Sequence, residues 1–280
     1  MKKYSGKVRD VYEVSDDKLV IVTTDRISAF DVVLSKTVPN KGKILNAVAL
    51  FWFDYTKDIV PNHILSADIE DMPEYFRSDE FKERSVLVKK LDIVPFECIV
   101  RGYMFGNMWN AYSKGESFCG QKIEGSYVLA EKLAEPLFTP STKAKVGHDE
   151  YISIQQVENA IGTDMMLRLR DISLKLYDVC YQYAYSKGII IADTKFEFGL
   201  DTENNLVLAD EIFTPDSSRF WNLAEYKAGS SPKSYDKQLV RDWLTNNQKD
   251  GKMLFDDVPD EILQKTSEIY AECGRRLQND

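Results

Sequence analysis

Histidine is almost missing from this chain. Only His63 and His148 occur among 280 residues. Cysteine is scarce as well: Cys98, Cys119, Cys180 and Cys273 are scattered, with no CxxC spacing. These shortages exclude a zinc site of the usual nitrogen and sulfur ligands and give no disulfide framework. Buried, reduced thiols are expected instead, and any metal has to be held by oxygen. Glycine (14) and proline (9) are too few for a collagenous or disordered chain. The longest apolar stretches, such as residues 188–192 (GIIIA), fall far short of the about 20 residues needed to span a membrane. The opening Met1-Lys2-Lys3-Tyr4 has no apolar core of about 7–15 residues, so no signal peptide and a cytoplasmic location are expected. Positive charge is in deficit, with 36 Lys and Arg against 45 Asp and Glu, a net −9. That argues against non-specific binding to nucleic acid or to anionic membranes. It leaves room for a local basic pocket that takes a small anion.

The composition is otherwise that of a globular chain, 44% hydrophobic and 29% charged. The length suits one large domain or two lobes sharing a cleft. Residues 7–13 alternate, a turn signal follows at Ser15-Asp16-Asp17, and residues 18–24 (KLVIVTT) are β-branched and apolar. Together they predict a hairpin with Gly6 at its entry. Residues 32–34 predict a short strand, and apolar spacing over 44–57 predicts a helix. Residues 85–91 read as a strand, Pro95 interrupts, and 96–100 begin another. The second half predicts helices over 153–161, with Ser153 as N-cap, and over 164–186, ending at Gly188. A buried strand at 188–192 follows. Residues 196–200 and 206–209 predict a hairpin through Asn204-Asn205. The tail from 235 reads as helical, broken at Asp250-Gly251 and restarting after Pro259. The expected class is α+β, with a β-rich lobe over 1–91 and a larger α+β lobe over 92–280.

Four stretches can carry chemistry. Lys7 and Arg9 flank one position of the predicted hairpin, so on a strand both point to one face and can clamp a polyphosphate. The plainer reading is a solvated strand edge, because the stretch is neither a P-loop nor a GxGxxG. In Asp193-Thr194-Lys195-Phe196-Glu197 the ionic groups alternate with the others, on one face of a strand. Asp210 comes beside Glu197 across the hairpin, and two converging carboxylates suit Mg²⁺. The alternative is a cross-strand ion pair with Lys195, although one lysine cannot neutralise three carboxylates. Polar loops around Arg101, around Lys143 (TPSTK) and over Thr214–Arg219, with Ser217 and Ser218, favour anions, although each by itself reads as an ordinary loop. The turn from Thr23 to Asp31, which includes Ser28, is either a further contact region or an Asx-capped turn. The sum is an enzyme using a nucleoside triphosphate, Mg²⁺ and at least one other anionic substrate.

A sharper reading comes from ordered segments: SGKVRDVY, TTDRISAFD, VKKLDIVPFECIVRGY, EPLFTPSTKAKVGHDE, GIIIADTKFEFG, LADEIFTPDSSRFW and SYDKQLVRDWL. Running from about Tyr4 to Leu244, they resemble the phosphoribosylaminoimidazole-succinocarboxamide synthase (SAICAR synthetase) family. The segment holding FTPSTKAKVGHDE is similar to the longer form of that family. The glycine loop carries Lys7 and Arg9 where the shorter form usually has two lysines, so its charge is kept.

The resemblance implies a two-lobed ATP-grasp or kinase-like fold. It also implies an ATP-dependent ligase of de novo purine biosynthesis. That activity joins L-aspartate to the carboxylate of carboxyaminoimidazole ribonucleotide (CAIR), through an acyl phosphate, giving SAICAR, ADP and phosphate. By the same resemblance Lys7 and Arg9 hold ATP phosphates, and the hinge from Lys89 to Leu91 reads adenine. Glu197 and Asp210 ligate Mg²⁺ with Lys195 and Asp193 close by. Arg101 and Arg219, with Ser217 or Ser218, bind the CAIR phosphate or carboxylate. Lys143 and Asp149 complete the phosphoryl and substrate region. Ser28 and Asp31 contact aspartate or CAIR. Lys195, Asp193 and Lys143 are the implied catalytic groups. The partners are small molecules, with no nucleic acid and no membrane, and the oligomeric state stays open. A small-molecule kinase and a nucleotide sensor without catalysis are the alternatives.

Overall fold

Short alternating segments at the start of the chain build a ladder. The structure is a computed structural model and describes residues 1–30, 32–143 and 149–278. Its first half holds β1 (Lys2–Ser5), β2 (Arg9–Glu13), β3 (Lys18–Thr23), β4 (Arg26–Ala29), β5 (Val32–Thr37), α1 (Lys41–Tyr55), β6 (Ile64–Ser66) and β7 (Ser85–Lys89). Five of the strands form an antiparallel sheet in the order β1-β2-β3-β7-β6. Its inner face places Tyr12, Val20, Val22 and Leu87 against Met72, Phe76 and Phe81. Each such aliphatic or aromatic side chain, fully buried, contributes about 1.5–3 kcal/mol. The expected hairpin of β2 and β3 is present, but β1 adds a strand ahead of it. Its sequence, KKYS, is exposed throughout and so carries no alternation to read. Because Ser5 already pairs with Asp10, residues 6–8 become the turn between β1 and β2. Lys7 therefore sits in that turn and does not share a strand face with Arg9.

The second half adds β8 (Asp92–Ile93), β9 (Phe96–Tyr103), α2 (Gly106–Ser113), β10 (Lys132–Phe138), β11 (Ser141–Thr142), α3 (Ile154–Ile161), α4 (Thr163–Ser186), β12 (Ile189–Leu200), β13 (Leu206–Ala209) and β14 (Ser218–Asn222). A seven-stranded sheet is built around β12, which pairs with β8, β9, β13 and β14. Residues 188–192 and 196–200, read separately from sequence, are one strand. The charged stretch between them keeps the alternation and is paired on both sides. α4 covers the apolar face, burying Met166, Leu169, Leu176, Tyr177 and Cys180 at helical spacing. Gly188, with φ of +75°, turns the chain from α4 into β12. Ser153 caps α3 through a complete capping box. At Gly199 a Cβ would lie 2.7 Å from Leu91 Cβ, so glycine is what lets the crossing from β7 into β8 lie against β12.

The tail forms α5 (Gln238–Asn246), the small hairpin β15 (Gln248–Lys249) and β16 (Lys252–Met253), and α6 (Asp260–Gln278). The break expected at Asp250-Gly251 is its turn, with both residues at positive φ. Chain ends meet here: Ile27, Ala29, Leu34 and Val38 share a core with Val240, Leu244, Val258 and Leu263. α6 packs on α1, with Gly274 against Val48. All four cysteines are free and buried. Burial pushes the Cys98 thiol up to about 12 and the Cys119 thiol up to about 11. Among the described residues no helix is long and apolar enough to cross a membrane.

Candidate active site

The register of β12 creates the site. Asp193 lies opposite Arg101 on β9 and opposite Arg219 on β14. A bulge between Ile191 and Asp193 brings Arg219 into that position. Asp193 Oδ2 is consequently held from both sides, 3.1 Å from Arg101 Nη1 and 2.9 Å from Arg219 Nη1. Two residues on, Lys195 Nζ donates to Glu197 Oε1 at 2.6 Å and to Glu97 Oε1 at 2.7 Å. Lys143 reaches the other oxygen of Glu197, and Ser141 Oγ donates to the other oxygen of Glu97 at 2.8 Å. Phe196 and Phe198 point the opposite way, into the core, and are fully buried. Strand alternation thus separates a charged face from an aromatic one, as the sequence predicts.

The first sheet supplies a second set of charges. Arg9, at the start of β2, donates through Nη1 to Asp210 Oδ1 at 2.5 Å and pairs through Nη2 with Glu211. Glu211 also accepts from Thr214 Oγ1. Asp210 follows β13 directly, with φ of +61°, so it leaves the ladder just after the Glu197–Ala209 pair. Burial alone would raise its carboxyl, but Arg9, Lys195 and Lys143 outweigh that and hold it well below the ordinary range. Burial works to lower Lys195 in turn, and Glu197, Asp210 and Glu97 more than reverse it, so its ammonium stays charged. His63 joins the two sheets: its N–H donates to Leu208 O at 3.1 Å, and its carbonyl accepts from Lys89 N at 2.8 Å. Burial pushes the His63 imidazole down to about 4, leaving it neutral.

A site packed with carboxylates, lysines and arginines, with no Ser-His or Cys-His pair among the described residues, suits charge neutralisation during phosphoryl transfer. A family model described as SAICAR synthetase matches residues 2–257. The chain belongs to the SAICAR synthetase family. It is 51% identical to the phosphoribosylaminoimidazole-succinocarboxamide synthase of Lachnospira eligens, an alignment covering 98% of this chain and 94% of that protein. Identity to the synthase of the same name from Maridesulfovibrio salexigens is 48%, over 96% of this chain and 90% of the relative. The solved SAICAR synthase of Saccharomyces cerevisiae, complexed with SAICAR, superposes with a TM-score of 0.90 at 40% identity, covering 100% of this chain and 95% of that one. A SAICAR synthetase solved in complex with ADP shares the fold, with a TM-score of 0.73 at 23% identity over 100% of this chain and 98% of its own.

On this SAICAR synthetase fold the candidate residues divide. Arg9, Lys143, Asp193, Lys195, Glu197, Asp210 and Arg219 are linked to their neighbours in the two charge clusters. Arg101 belongs to the same region but is only 2% exposed. Its donors go to Thr139 Oγ1, Asp193 Oδ2 and Tyr151 OH at 3.0–3.2 Å, and its plane lies over Phe118. Ser218 is turned away from Arg219. Alternation points it to the core side, where its hydroxyl meets Thr194 Oγ1 at 2.8 Å. Ser217 is half-buried and closes the turn after Thr214, its Oγ accepting from Thr214 N at 3.2 Å. Ser28 is buried on β4 between the core residues Ile27 and Ala29. The backbone N–H groups of Lys89 and Lys90 already donate within the first sheet, to His63 O and Asp17 O. Asp149 is exposed beside Glu150, which pairs back onto Thr142. Asp31 lies outside the described residues, as does His148.

Three members of the site were not singled out from sequence. Glu97 carried a readable signal, a lone acid inside the apolar strand FECIV. Glu211 follows Asp210 and carried only its charge. Tyr151 had no signal; it is brought to Arg101 by an isolated bridge between Ser141 and Tyr151. Lys195 does not face the three carboxylates alone. Arg9, Arg101, Lys143 and Arg219 arrive from distant segments and pair the same acids.

Proposed function

We propose that this chain is an ATP-dependent ligase that joins the amine of L-aspartate to the carboxylate of CAIR, giving SAICAR, ADP and phosphate in purine biosynthesis. Membership of the SAICAR synthetase family across residues 2–257 supports the activity. The observation that carries the site is the joining of Arg9, Lys143, Lys195, Glu197 and Asp210 through contacts among β2, β12 and the residues around them. Lys7 and Arg9 hold the ATP phosphates, and Leu91 with the Lys89 carbonyl takes adenine, between lobes 1–91 and 92–280. Arg219, assisted by Ser217 and by Arg101 beneath it, binds the anionic groups of CAIR. Lys143 and Lys195 neutralise charge at the transferring phosphoryl group, and Asp149 lies at the edge of that region.

The donor set fits Mg²⁺. Among the described residues no three Asp, Glu, His or Cys side chains are arranged to hold an ion alone. Magnesium takes one or two protein carboxylates and fills its remaining positions with water and phosphate oxygens. Glu197 and Asp210 are the hard oxygen donors that would hold it, and it would neutralise phosphate charge there. The rest follows from the chain's own groups. A carboxylate resists attack by an amine because the adduct would gather a second negative charge. Phosphorylation of the CAIR carboxylate gives an acyl phosphate with a good leaving group. The cations around Glu197 align and screen the phosphates while that bond forms, which is where most of the rate enhancement in phosphoryl transfer arises. Asp193, held by two arginines, fixes the Arg219 guanidinium that faces the substrate over the buried Arg101.

The test is phosphate release by the purified protein. It should require ATP, CAIR and aspartate together. Release that persists without aspartate, or a stable phosphorylated product with no free phosphate, would replace the ligase with a phosphatase-like or kinase activity.

A further inference from the structure

The turn from Asp25 to Asp31 is the expected contact region for aspartate or CAIR, but the side chains of Arg26 and of Thr24 just before that turn reach the glycine loop, while Asp25 accepts from Gly42 N and Arg84. Arg26 Nη2 donates to Gly6 O at 3.1 Å, and Nε donates to Lys7 O at 3.3 Å. The next carbonyl, Val8 O, accepts from Thr24 N at 3.0 Å and from Thr24 Oγ1 at 2.8 Å. Arg26 also grips Asp10 with both terminal nitrogens, at 2.8 and 3.3 Å. Asp10 is 6% exposed and takes Lys3 on the same carboxylate. Every carbonyl of the turn 6–8 is therefore drawn onto one short segment.

We propose that Arg26 is a positioning residue for the nucleotide: it fixes the carbonyls of turn 6–8 so that Lys7 and Arg9 are presented to the ATP phosphates in advance. The inference rests on the reading of Lys7 and Arg9 as phosphate ligands. A turn that approaches a polyphosphate cannot aim carbonyl oxygens at it, because two negative ends would meet. Drawing those oxygens back onto cationic and N–H donors removes the repulsion and the ordering cost from the binding step. The planar guanidinium does this at four acceptor atoms together; a lysine ammonium has one nitrogen on a flexible stem. Gly6 N also donates to Arg9 O at 2.7 Å, so the turn and the start of β2 move as a unit.

The test compares Arg26→Gln, Arg26→Lys and Lys7→Met. Michaelis constants for ATP, CAIR and aspartate, kcat, melting temperature and amide exchange of residues 5–10 are measured on each. Arg26→Gln should raise KM for ATP about tenfold, with KM for CAIR and aspartate within about twofold, and should speed exchange in that segment. Arg26→Lys should recover part of both effects, and it serves as the deciding variant if the glutamine protein does not fold. An unchanged KM for ATP, or equal rises in all three constants with a falling melting temperature, would overturn the proposal. Lys7→Met separates the two claims. If it too leaves KM for ATP unaltered, the nucleotide reading of the turn falls; if it raises KM while Arg26→Gln does not, only the role of Arg26 falls.

Discussion

Arg9 Nη1 lies 2.5 Å from Asp210 Oδ1 and joins the start of β2 to the residue that follows β13, 201 positions later. Under the proposed function these are a phosphate ligand and a metal ligand, and without nucleotide each neutralises the other. Binding of ATP then exchanges partners and does not expose bare charges to a dry site, whose desolvation would be costly.

Asp210→Asn tests that exchange. The fold should survive, because Arg9 keeps Glu211 as a partner. Turnover should fall about 10²-fold, the usual cost of removing one preorganised charge-stabilising group. The check is kcat across a Mg²⁺ titration; unaltered activity and an unaltered Mg²⁺ midpoint would remove Asp210 from the site.

Arg219→Lys should raise KM for CAIR more than KM for ATP, by about tenfold against less than about twofold, because the planar fork beside Asp193 is lost. Initial-rate kinetics with each substrate varied in turn provide the comparison. A change confined to ATP would move Arg219 to the nucleotide end.

Lys41 Nζ lies 2.5 Å from Asp216 Oδ2 as a fully buried ion pair without hydrogen-bond alignment, and Tyr270 OH donates to Asp216 Oδ1 at 2.9 Å. Asp216 immediately precedes Ser217, so α1 and α6 brace the loop that carries the CAIR candidates. Lys41→Met takes the paired cation away from a buried carboxylate and should cost about 3–5 kcal/mol of stability. Tyr270→Phe, which removes one bond and leaves Lys41 in place, should cost about 1–3 kcal/mol. Urea unfolding of the three proteins gives both values. Equal stability of Lys41→Met and the parent would contradict the buried pair.

The same carboxylate sets a pH dependence. Burial would raise Asp216, but Lys41 and Lys237, with the hydrogen bond from Tyr270, hold it well below the usual carboxylate range. A depressed folded pKa stabilises above the unfolded value and loses that contribution as pH falls toward the folded one. Asp216→Asn should therefore lower the melting temperature at pH 7, and its deficit should narrow as pH drops from about 4 to 2. Melting curves from pH 7 to 2 provide the check; a constant deficit would show that ionisation of Asp216 is not what stabilises the loop.

Local pattern alone made much of this molecule legible. The β2–β3 hairpin, α1, the Ser153 cap, α4 and the β12–β13 hairpin all carry their period or their turn residues in adjacent positions, so a short window suffices. The split of Asp193, Lys195 and Glu197 from Phe196 and Phe198 followed from strand period alone. β1 escaped because an exposed polar strand leaves no hydrophobic trace, and its presence moved Lys7 off the strand.

Sequence by itself determined the α+β class, the family and the acid–base character of the site, since each is written in composition, in local periodicity or in contiguous motifs. Tertiary structure alone decided which charges meet. Arg101 and Arg219 reach Asp193 through strand register, Arg9 reaches Asp210 through the approach of two sheets, and Tyr270 reaches Asp216 from a helix beyond the matched segment. Ion pairing depends on distances of a few ångströms between residues far apart along the chain, and no local window contains both partners.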